Sequence, residues 1–276
     1  MFRTIEISDT TCEPDGLRWV TVKSPALKQR ADLTLFVPAT PASAKPATPL
    51  PLVILLHGVY GSHWAWALKG GAHRIAARLI ASGDIPPLVL AMPSDGLWGD
   101  GSGYLKHPRQ DFERWIVDEV PAATQLAVPA VTDQSPLFIS GLSMGGFGAL
   151  RLAGKYPEKF AGAGGHSSIT HFNQMSRFVE EPLQTYSCPV EDQSVFDNLL
   201  RNRDRLPPLR FDCGTSDPLL DDNRRLHDQL TQAGIVHEYA EFPGGHEWPY
   251  WQAHLPAMLQ FFGKLAGEKP QERRTR

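Results

Sequence analysis

Short, continuously apolar runs recur along this chain and constrain its fold more than any other feature. They lie at residues 52–56, 88–92, 137–139 and 209–212, with a more mixed run at 238–242. Such runs are typical of parallel strands that are buried on both faces. Helical patterns alternate with them, at residues 72–81, 111–126, 144–156, 222–233 and 248–265. The alternation predicts an α/β protein whose mostly parallel central sheet is flanked by helices.

Three further segments complete the predicted organisation. Residues 17–23 and 32–37 alternate apolar and polar side chains, which predicts N-terminal antiparallel strands. The Pro/Ala/Thr-rich stretch 38–51 is predicted to be a surface loop. Residues 167–206 interrupt the alternation and are predicted to form an irregular cover over the carboxyl ends of the strands, where such sheets bind ligands. No break separates two cores, so residues 1–276 are predicted to form one domain.

Composition and charge argue against several classes of function. The net charge is −3 and the one like-charge block is the Arg-rich end 272–276, so we expect no nucleic-acid or membrane partner. The start of the chain has no apolar signal-peptide core, and no window approaches the roughly 18 apolar residues that span a bilayer, which predicts a cytoplasmic protein. Cys12, Cys188 and Cys213 are widely spaced and are expected to be free thiols.

The stretch Gly141-Leu-Ser143-Met-Gly145 matches GxSxG, the pattern of a nucleophile elbow. A predicted strand precedes it and a helical pattern follows it, which is the setting that the motif requires. The serine of such a turn has a strained backbone, and the flanking glycines let strand and helix approach without Cβ collisions. Ser143 is therefore predicted to be a nucleophile, with a helix N-cap as the alternative.

A serine nucleophile needs a base, and the base needs an acid that fixes its tautomer. Asp217 and His246 each lie just beyond a predicted strand, and the order Ser143, Asp217, His246 is that of α/β-hydrolases. The alternatives are Asp212, Asp221 and Asp222 for the acid and His57, His166, His237 and His254 for the base. Asp212 fits less well because it lies inside a predicted strand, and Asp221 and Asp222 because they lie at a helix start. His57 and His166 precede Asp217 in the chain. His237 lies at a strand start and His254 lies inside a helix.

The oxyanion of an acyl-transfer reaction needs two preorganised N–H donors. The backbone N–H of Met144 is predicted to be one of them, because it follows the nucleophile at a helix N-terminus. The other is predicted in the loop His57-Gly-Val59-Tyr60-Gly that follows the strand 52–56. Val59 is assigned there, with Tyr60 as the alternative, and His57 is expected to brace the loop.

Four stretches together resemble the esterase D family of α/β-hydrolases. They are the elbow at 141–150, the oxyanion loop at 55–61, the acid motif Cys-Gly-Thr-Ser-Asp at 213–217 and the base motif Gly-Gly-His-Glu-Trp at 244–248. The resemblance covers about residues 17–262 and implies an enzyme that cleaves esters of short acyl or aromatic acids without a metal or an organic cofactor. S-formylglutathione hydrolases of this family usually carry histidine where this chain has Phe147, so the resemblance favours the tributyrin and feruloyl esterase branch.

Aromatic residues cluster in the predicted strand-end loops, and an aromatic cleft suits an acyl or aryl group. Trp98, Tyr60 and Trp248 are predicted to contact the substrate, with packing as the alternative role. The sequence therefore predicts a serine carboxylesterase whose partner is a small-molecule ester. A thioesterase like the S-formylglutathione hydrolases, an acyltransferase and an inactive hydrolase-fold binding protein remain alternatives, and a homo-oligomer remains possible.

Overall fold

A computed structural model describes residues 2–39 and 49–268. These residues form one nine-stranded sheet with the strand order β1-β2-β3-β5-β4-β6-β7-β8-β9. The strands are β1 (Ile5–Ile7), β2 (Leu17–Lys23), β3 (Arg30–Phe36), β4 (Leu52–Leu56), β5 (Val89–Pro93), β6 (Leu137–Gly141), β7 (Gly162–His166), β8 (Leu209–Gly214) and β9 (Glu238–Phe242). Strands β1, β2, β3 and β5 pair antiparallel, and the pairs from β5 to β9 are parallel. The predicted mostly parallel sheet with N-terminal antiparallel strands is confirmed.

Helices cover both faces of the sheet. They are α1 (Ala72–Ser82), α2 (Phe112–Arg114), α3 (Val120–Ala127), α4 (Met144–Lys155), α5 (Val195–Arg201), α6 (Leu220–Gln232) and α7 (Trp248–Gly267). In β4, Leu52, Ile54 and Leu56 pack into a core with α3, α4 and α6. Val53 and Leu55 pack into a second core with α1 and α7. Because successive side chains of a strand face opposite ways, these two cores explain why the run 52–56 is apolar throughout.

Most predicted elements agree with the observed ones to within two residues at either end. Strand β7 was not predicted, because its sequence Gly-Ala-Gly-Gly-His has little strand propensity. The glycines are needed for packing: a Cβ on Gly164 would lie 2.6 Å from the backbone carbonyl oxygen of Arg210 in β8 and 2.5 Å from the Cε atom of Met258 in α7. The short strand β1 was also missed. The predicted surface loop 38–51 lies mostly, and the Arg-rich end 272–276 wholly, outside the described residues.

The helix predicted at 111–126 is wrong as one continuous element. Helix α2 is followed by a π-helical turn (Trp115–Glu119) and only then by α3. Pro121 lies in the first turn of α3 and has no N–H, so it cannot donate the α-helical hydrogen bond to residue 117. Because Pro121 lacks this N–H, the chain loses no α-helical hydrogen bond there when the preceding residues form the wider π-helical turn. The indole N–H of Trp115 donates to the carbonyl of Ser94 at 2.8 Å and ties the π-helical turn to the sheet.

The cover segment (residues 167–206) contains four short 3₁₀ helices and α5, joined by irregular stretches. Helix α5 packs closely on α4, because a Cβ on Gly154 of α4 would lie 2.7 Å from the backbone of Asn198. Lys155 of α4 also forms an ion pair with Asp192 of the cover segment at 2.7 Å. The cover segment is therefore fixed to the helix that follows Ser143.

A buried ion pair connects α4 to α2. Nη1 of Arg151 lies 2.8 Å from Oε2 of Glu113, and neither side chain is more than 7% exposed. Burial alone would raise the pKa of Glu113, but the charge of Arg151 and hydrogen bonds from Arg151 and Tyr156 outweigh it and lower that pKa below its ordinary value. Glu113 is therefore a buried carboxylate that depends on its partners.

Replacing Arg151 should destabilise the protein strongly. We expect Arg151→Met to lower the free energy of unfolding by about 3 kcal/mol, because the Glu113 carboxylate stays buried without its main partner. The matched control is Lys159→Met, which removes a half-exposed ion pair with Asp118 and should cost less than about 1 kcal/mol. Urea denaturation of both variants measures the difference, and equal losses would contradict the expectation.

Candidate active site

The turn between β6 and α4 holds Ser143 in a strained backbone conformation. Ser143 has φ 54° and ψ −117°, which is sparsely populated for a residue with a side chain. A Cβ on Gly141 would lie 2.8 Å from the carbonyl oxygen of Leu56, and one on Gly145 would lie 2.7 Å from that of His57. Both glycines of the GxSxG pattern are therefore required, because α4 starts directly against the end of β4.

Ser143, His246 and Asp217 form a continuous chain of hydrogen bonds. The hydroxyl of Ser143 lies 2.9 Å from Nε2 of His246, and Nδ1 of the same ring lies 2.9 Å from Oδ2 of Asp217. Each residue follows the carboxyl end of a parallel strand, β6, β8 or β9, so the topology brings residues together that are 103 positions apart in the chain. The structure thus brings together all three residues of the predicted triad.

The surroundings of Asp217 keep its carboxyl group ionised. Burial would raise its pKa, but hydrogen bonds from His246 and from the N–H of Leu219, with the charge of His246, outweigh burial and lower the pKa below its usual value. An ionised Asp217 accepts a hydrogen bond from Nδ1–H of His246. This fixes the tautomer in which Nε2 is free to take a proton from Ser143.

The alternative acids and bases have other partners. Asp212 lies within β8 and accepts hydrogen bonds from His166, at 3.0 Å, and from the hydroxyl of Tyr250, at 2.9 Å. The ring of His237 hydrogen-bonds to His227, and that of His254 stacks on Phe242. Asp222 pairs with Arg177 and Arg225, and Asp221, in the first turn of α6, is 3.8 Å from Arg224.

Two backbone N–H groups near Ser143 have no acceptor. Within residues 2–39 and 49–268, no hydrogen bond is made by the N–H of Met144 or by that of Val59. The N–H of Tyr60, by contrast, donates to the carbonyl oxygen of Asp100 at 2.8 Å. Because an oxyanion donor must be free, the geometry favours Met144 and Val59 over Tyr60 for this role.

His57 determines the direction of the Val59 N–H. Nε2 of His57 accepts a hydrogen bond from the N–H of Asp95 at 3.0 Å, so Nδ1 carries the proton and donates to the carbonyl of Gly58 at 2.6 Å. The Gly58 carbonyl and the Val59 N–H belong to one trans peptide and point in opposite directions. Because the His57 ring holds the Gly58 carbonyl, the Val59 N–H points away from that ring.

A cavity of about 270 Å³ lies over Ser143, and its walls are largely aromatic. Tyr60 and Trp248, two of the three predicted substrate contacts, line it together with Trp64 and Trp251. The third, Trp98, is not among the described residues of its wall. Its ring packs instead against His107 at 4.6 Å and against Tyr186 at 4.7 Å, because the loop that carries it folds under the cover segment.

Two aromatic contacts of His246 were not predicted from the sequence. The ring of Phe178 stacks on the imidazole at 5.3 Å with an interplanar angle of 23°, and the ring of Trp251 lies perpendicular to the imidazole at 5.1 Å between centroids. Phe178 lies in the irregular cover segment, where no periodicity marks a functional side chain. Trp251 carries a weak signal, since it follows Trp248 by one helical turn, but that spacing also suits packing.

A larger cavity of about 840 Å³ lies away from this chemistry. Prolines and the ends of several elements line it, including Pro51 before β4, Leu137 at the start of β6 and Gly267 at the end of α7. It therefore lies at the amino ends of the strands, opposite Ser143.

Within the described part of the chain, no cluster of His, Cys, Asp and Glu could hold a metal ion. Likewise, none of the described helices is long and apolar enough to cross a membrane.

Comparisons with known proteins agree with this geometry. The family model described as "Putative esterase" matches residues 24–262. An acetyl esterase of Caldicellulosiruptor saccharolyticus is 25% identical over 236 residues, which cover 79% of this chain and 85% of that protein. The structure of a ferulic acid esterase matches with a TM-score of 0.77 and 22% identity, over 97% of this chain and 100% of its own. The fluorophosphonate-binding serine hydrolase FphF of Staphylococcus aureus matches with a TM-score of 0.77 and 20% identity, over 91% and 98%. The chain therefore belongs to the esterase family and is a carboxylic-ester hydrolase with the α/β-hydrolase fold.

Proposed function

We propose that this protein is a serine esterase that hydrolyses short-chain acyl or aryl carboxylic esters through an acyl-enzyme on Ser143. One observation carries the proposal. The hydrogen-bonded chain Ser143–His246–Asp217 lies beside the N–H groups of Met144 and Val59, for which the described residues provide no acceptor. A nucleophile, its base and an oxyanion hole are the parts that acyl transfer requires.

In the proposed reaction, Nε2 of His246 takes the proton of the Ser143 hydroxyl as the oxygen attacks the ester carbonyl carbon. The N–H groups of Met144 and Val59 donate to the oxyanion of the tetrahedral intermediate, while Asp217 stabilises the imidazolium. Nε2–H of His246 then protonates the departing alcohol. In the second half, His246 removes a proton from water as it attacks the acyl carbon. When this second tetrahedral intermediate collapses, His246 returns the proton to the Ser143 oxygen and the carboxylic acid leaves.

The size and lining of the cavity support short acyl or aryl groups. About 270 Å³ bounded by aromatic rings suits a compact apolar group better than a long chain. An acetyl esterase and a ferulic acid esterase among the similar proteins support the same class of substrate. Assignment to the tributyrin and feruloyl branch of the esterase D family rests on Phe147 and Trp248. Phe147 is fully buried, so it marks the branch without touching substrate.

A substrate panel tests the proposal against its alternatives. We expect acetyl, butyryl or feruloyl esters to be hydrolysed with a higher kcat/KM than S-formylglutathione. A preference for S-formylglutathione would favour the thioesterase, and acylated products formed with added alcohols or sugars would favour the acyltransferase. No turnover of any ester from C2 to C12 would favour an inactive binding protein.

Removing the hydroxyl of Ser143 should abolish hydrolysis without unfolding the chain. We expect Ser143→Ala to lower kcat on p-nitrophenyl acetate about 10⁶-fold, as the loss of a triad serine does elsewhere. The control is Ser176→Ala, at an exposed serine that hydrogen-bonds only to a nearby backbone carbonyl. A fluorophosphonate should label the wild type at Ser143 alone, as read by peptide mass spectrometry. An unchanged rate or labelling at another serine would refute the assignment.

Displacing the His57 ring should damage the oxyanion hole selectively. A Cβ on Gly61 would lie only 2.7 Å from Cγ of His57, so Gly61→Ala forces this ring away from the Gly58 carbonyl. We expect kcat to fall about 100-fold with little change in KM, the size of effect seen when one oxyanion donor is lost. Gly267→Ala, whose Cβ would meet no atom within 4 Å, is the control. A wild-type kcat for Gly61→Ala would show that His57 does not hold the Val59 peptide.

A further inference from the structure

The bridging turn (Gly99, Asp100 and Gly101) lies directly against the oxyanion hole. The N–H of Tyr60 donates to the carbonyl of Asp100 at 2.8 Å, and the Tyr60 hydroxyl donates to Oδ2 of the same residue at 3.1 Å. A Cβ on Gly101 would lie 3.1 Å from Cε of Met144 and 3.4 Å from Cγ1 of Val59. The bridging turn thus packs behind both residues that offer free N–H groups.

The opposite side of the bridging turn holds the cover segment. The N–H of Glu180 donates to Oδ2 of Asp100 at 2.7 Å, the same oxygen that accepts from Tyr60. The carboxylate of Glu181 in turn accepts a hydrogen bond from the N–H of Asp100 at 3.2 Å. Gly99 has φ +50°, and a Cβ there would lie 2.5 Å from Cδ of Glu181, so a side chain at this position would be strained and would displace the Glu181 carboxylate.

These contacts fix the aromatic wall over His246. Phe178 lies two residues before Glu180, stacks on the imidazole at 5.3 Å and lines the cavity. On its other side, Arg177 forms an ion pair with Asp222 of α6 at 2.7 Å. The stretch 177–181 is therefore held at both ends, with Phe178 between the two attachments.

We propose that Asp100 is a positioning residue that couples the oxyanion loop to the cover segment and thereby sets the acyl length that the enzyme accepts. One carboxylate oxygen joins Tyr60, which follows the oxyanion donor Val59, to Glu180, which follows the wall residue Phe178. Hydrogen bonds to a charged acceptor are stronger than those to a neutral one, so the shared Asp100 oxygen fixes the position of Tyr60 relative to Glu180. The inference rests on the proposed serine esterase function and adds its specificity determinant.

The test compares p-nitrophenyl esters from acetyl to octanoyl. In Asp100→Ala, Phe178 is released at one end, so the cavity accepts longer chains, while the oxyanion loop loses the hydroxyl contact of Tyr60 and keeps the backbone hydrogen bond to residue 100. We expect kcat on the acetyl ester to fall about tenfold, and the ratio of kcat/KM for octanoyl over acetyl to rise at least about tenfold. Asp100→Asn keeps an oxygen acceptor and should restore most of the wild-type ratio. Tyr60→Phe removes only the hydroxyl contact and should lower kcat without changing the ratio.

The matched control is Glu191→Ala, which removes an exposed carboxylate of the same cover segment and should leave both quantities unchanged. Should Asp100→Ala fail to fold, Glu181→Ala removes the partner of the Asp100 N–H and should also raise the octanoyl ratio. An equal loss of kcat/KM at all acyl lengths would overturn the inference. So would a wild-type ratio of octanoyl over acetyl kcat/KM in both Asp100→Ala and Glu181→Ala. Fluorophosphonate titration of Ser143 counts active sites in every sample. Absence of labelling in the wild type would instead count against the proposed function itself.

Discussion

The structure of the site depends on the close approach of three backbone segments, β4, β6 and the start of α4. Ser143 has a positive φ with ψ −117°, a sparsely populated conformation that costs about 1–3 kcal/mol and persists only when its surroundings determine it. Its N–H donates to the carbonyl of His166 at 3.0 Å, and its carbonyl accepts from Ile169 at 3.1 Å. Ser143 is thus held by the end of β7 and the loop that follows it, while the close approach of Gly141 and Gly145 to the end of β4 places the proposed oxyanion loop beside it.

The sequence predicted the parts of this site that have local signals. Ser143, Asp217 and His246 could be assigned because each follows a recognisable strand and lies in a short glycine-containing motif. Strand β7 was missed because its glycines serve the approach of α7 and leave no apolar pattern. Phe178 and Asp100 could not be assigned, since their roles arise from contacts between segments far apart in the chain. Trp98 shows the converse: an aromatic side chain in a strand-end loop can serve packing alone.

A second carboxylate supports the site from within the sheet. Asp212 is fully buried and accepts hydrogen bonds from the ring of His166 and from the hydroxyl of Tyr250. Two buried donors offset the cost of removing this carboxylate from water. Through these contacts β7, β8 and the first turn of α7 are joined directly below the triad. His166 contributes twice, because its ring contacts Asp212 and its carbonyl accepts the N–H of Ser143.

Helix α7 begins two residues after His246 and runs for 20 residues across one face of the sheet. The loop with the proposed base is therefore anchored only when this last helix has packed. During synthesis, Ser143 leaves the ribosome 103 residues ahead of His246. The proposed hydrolytic activity therefore requires that α7 has been synthesised and packed, and a nascent chain that contains the elbow but not this helix lacks the proposed base of Ser143.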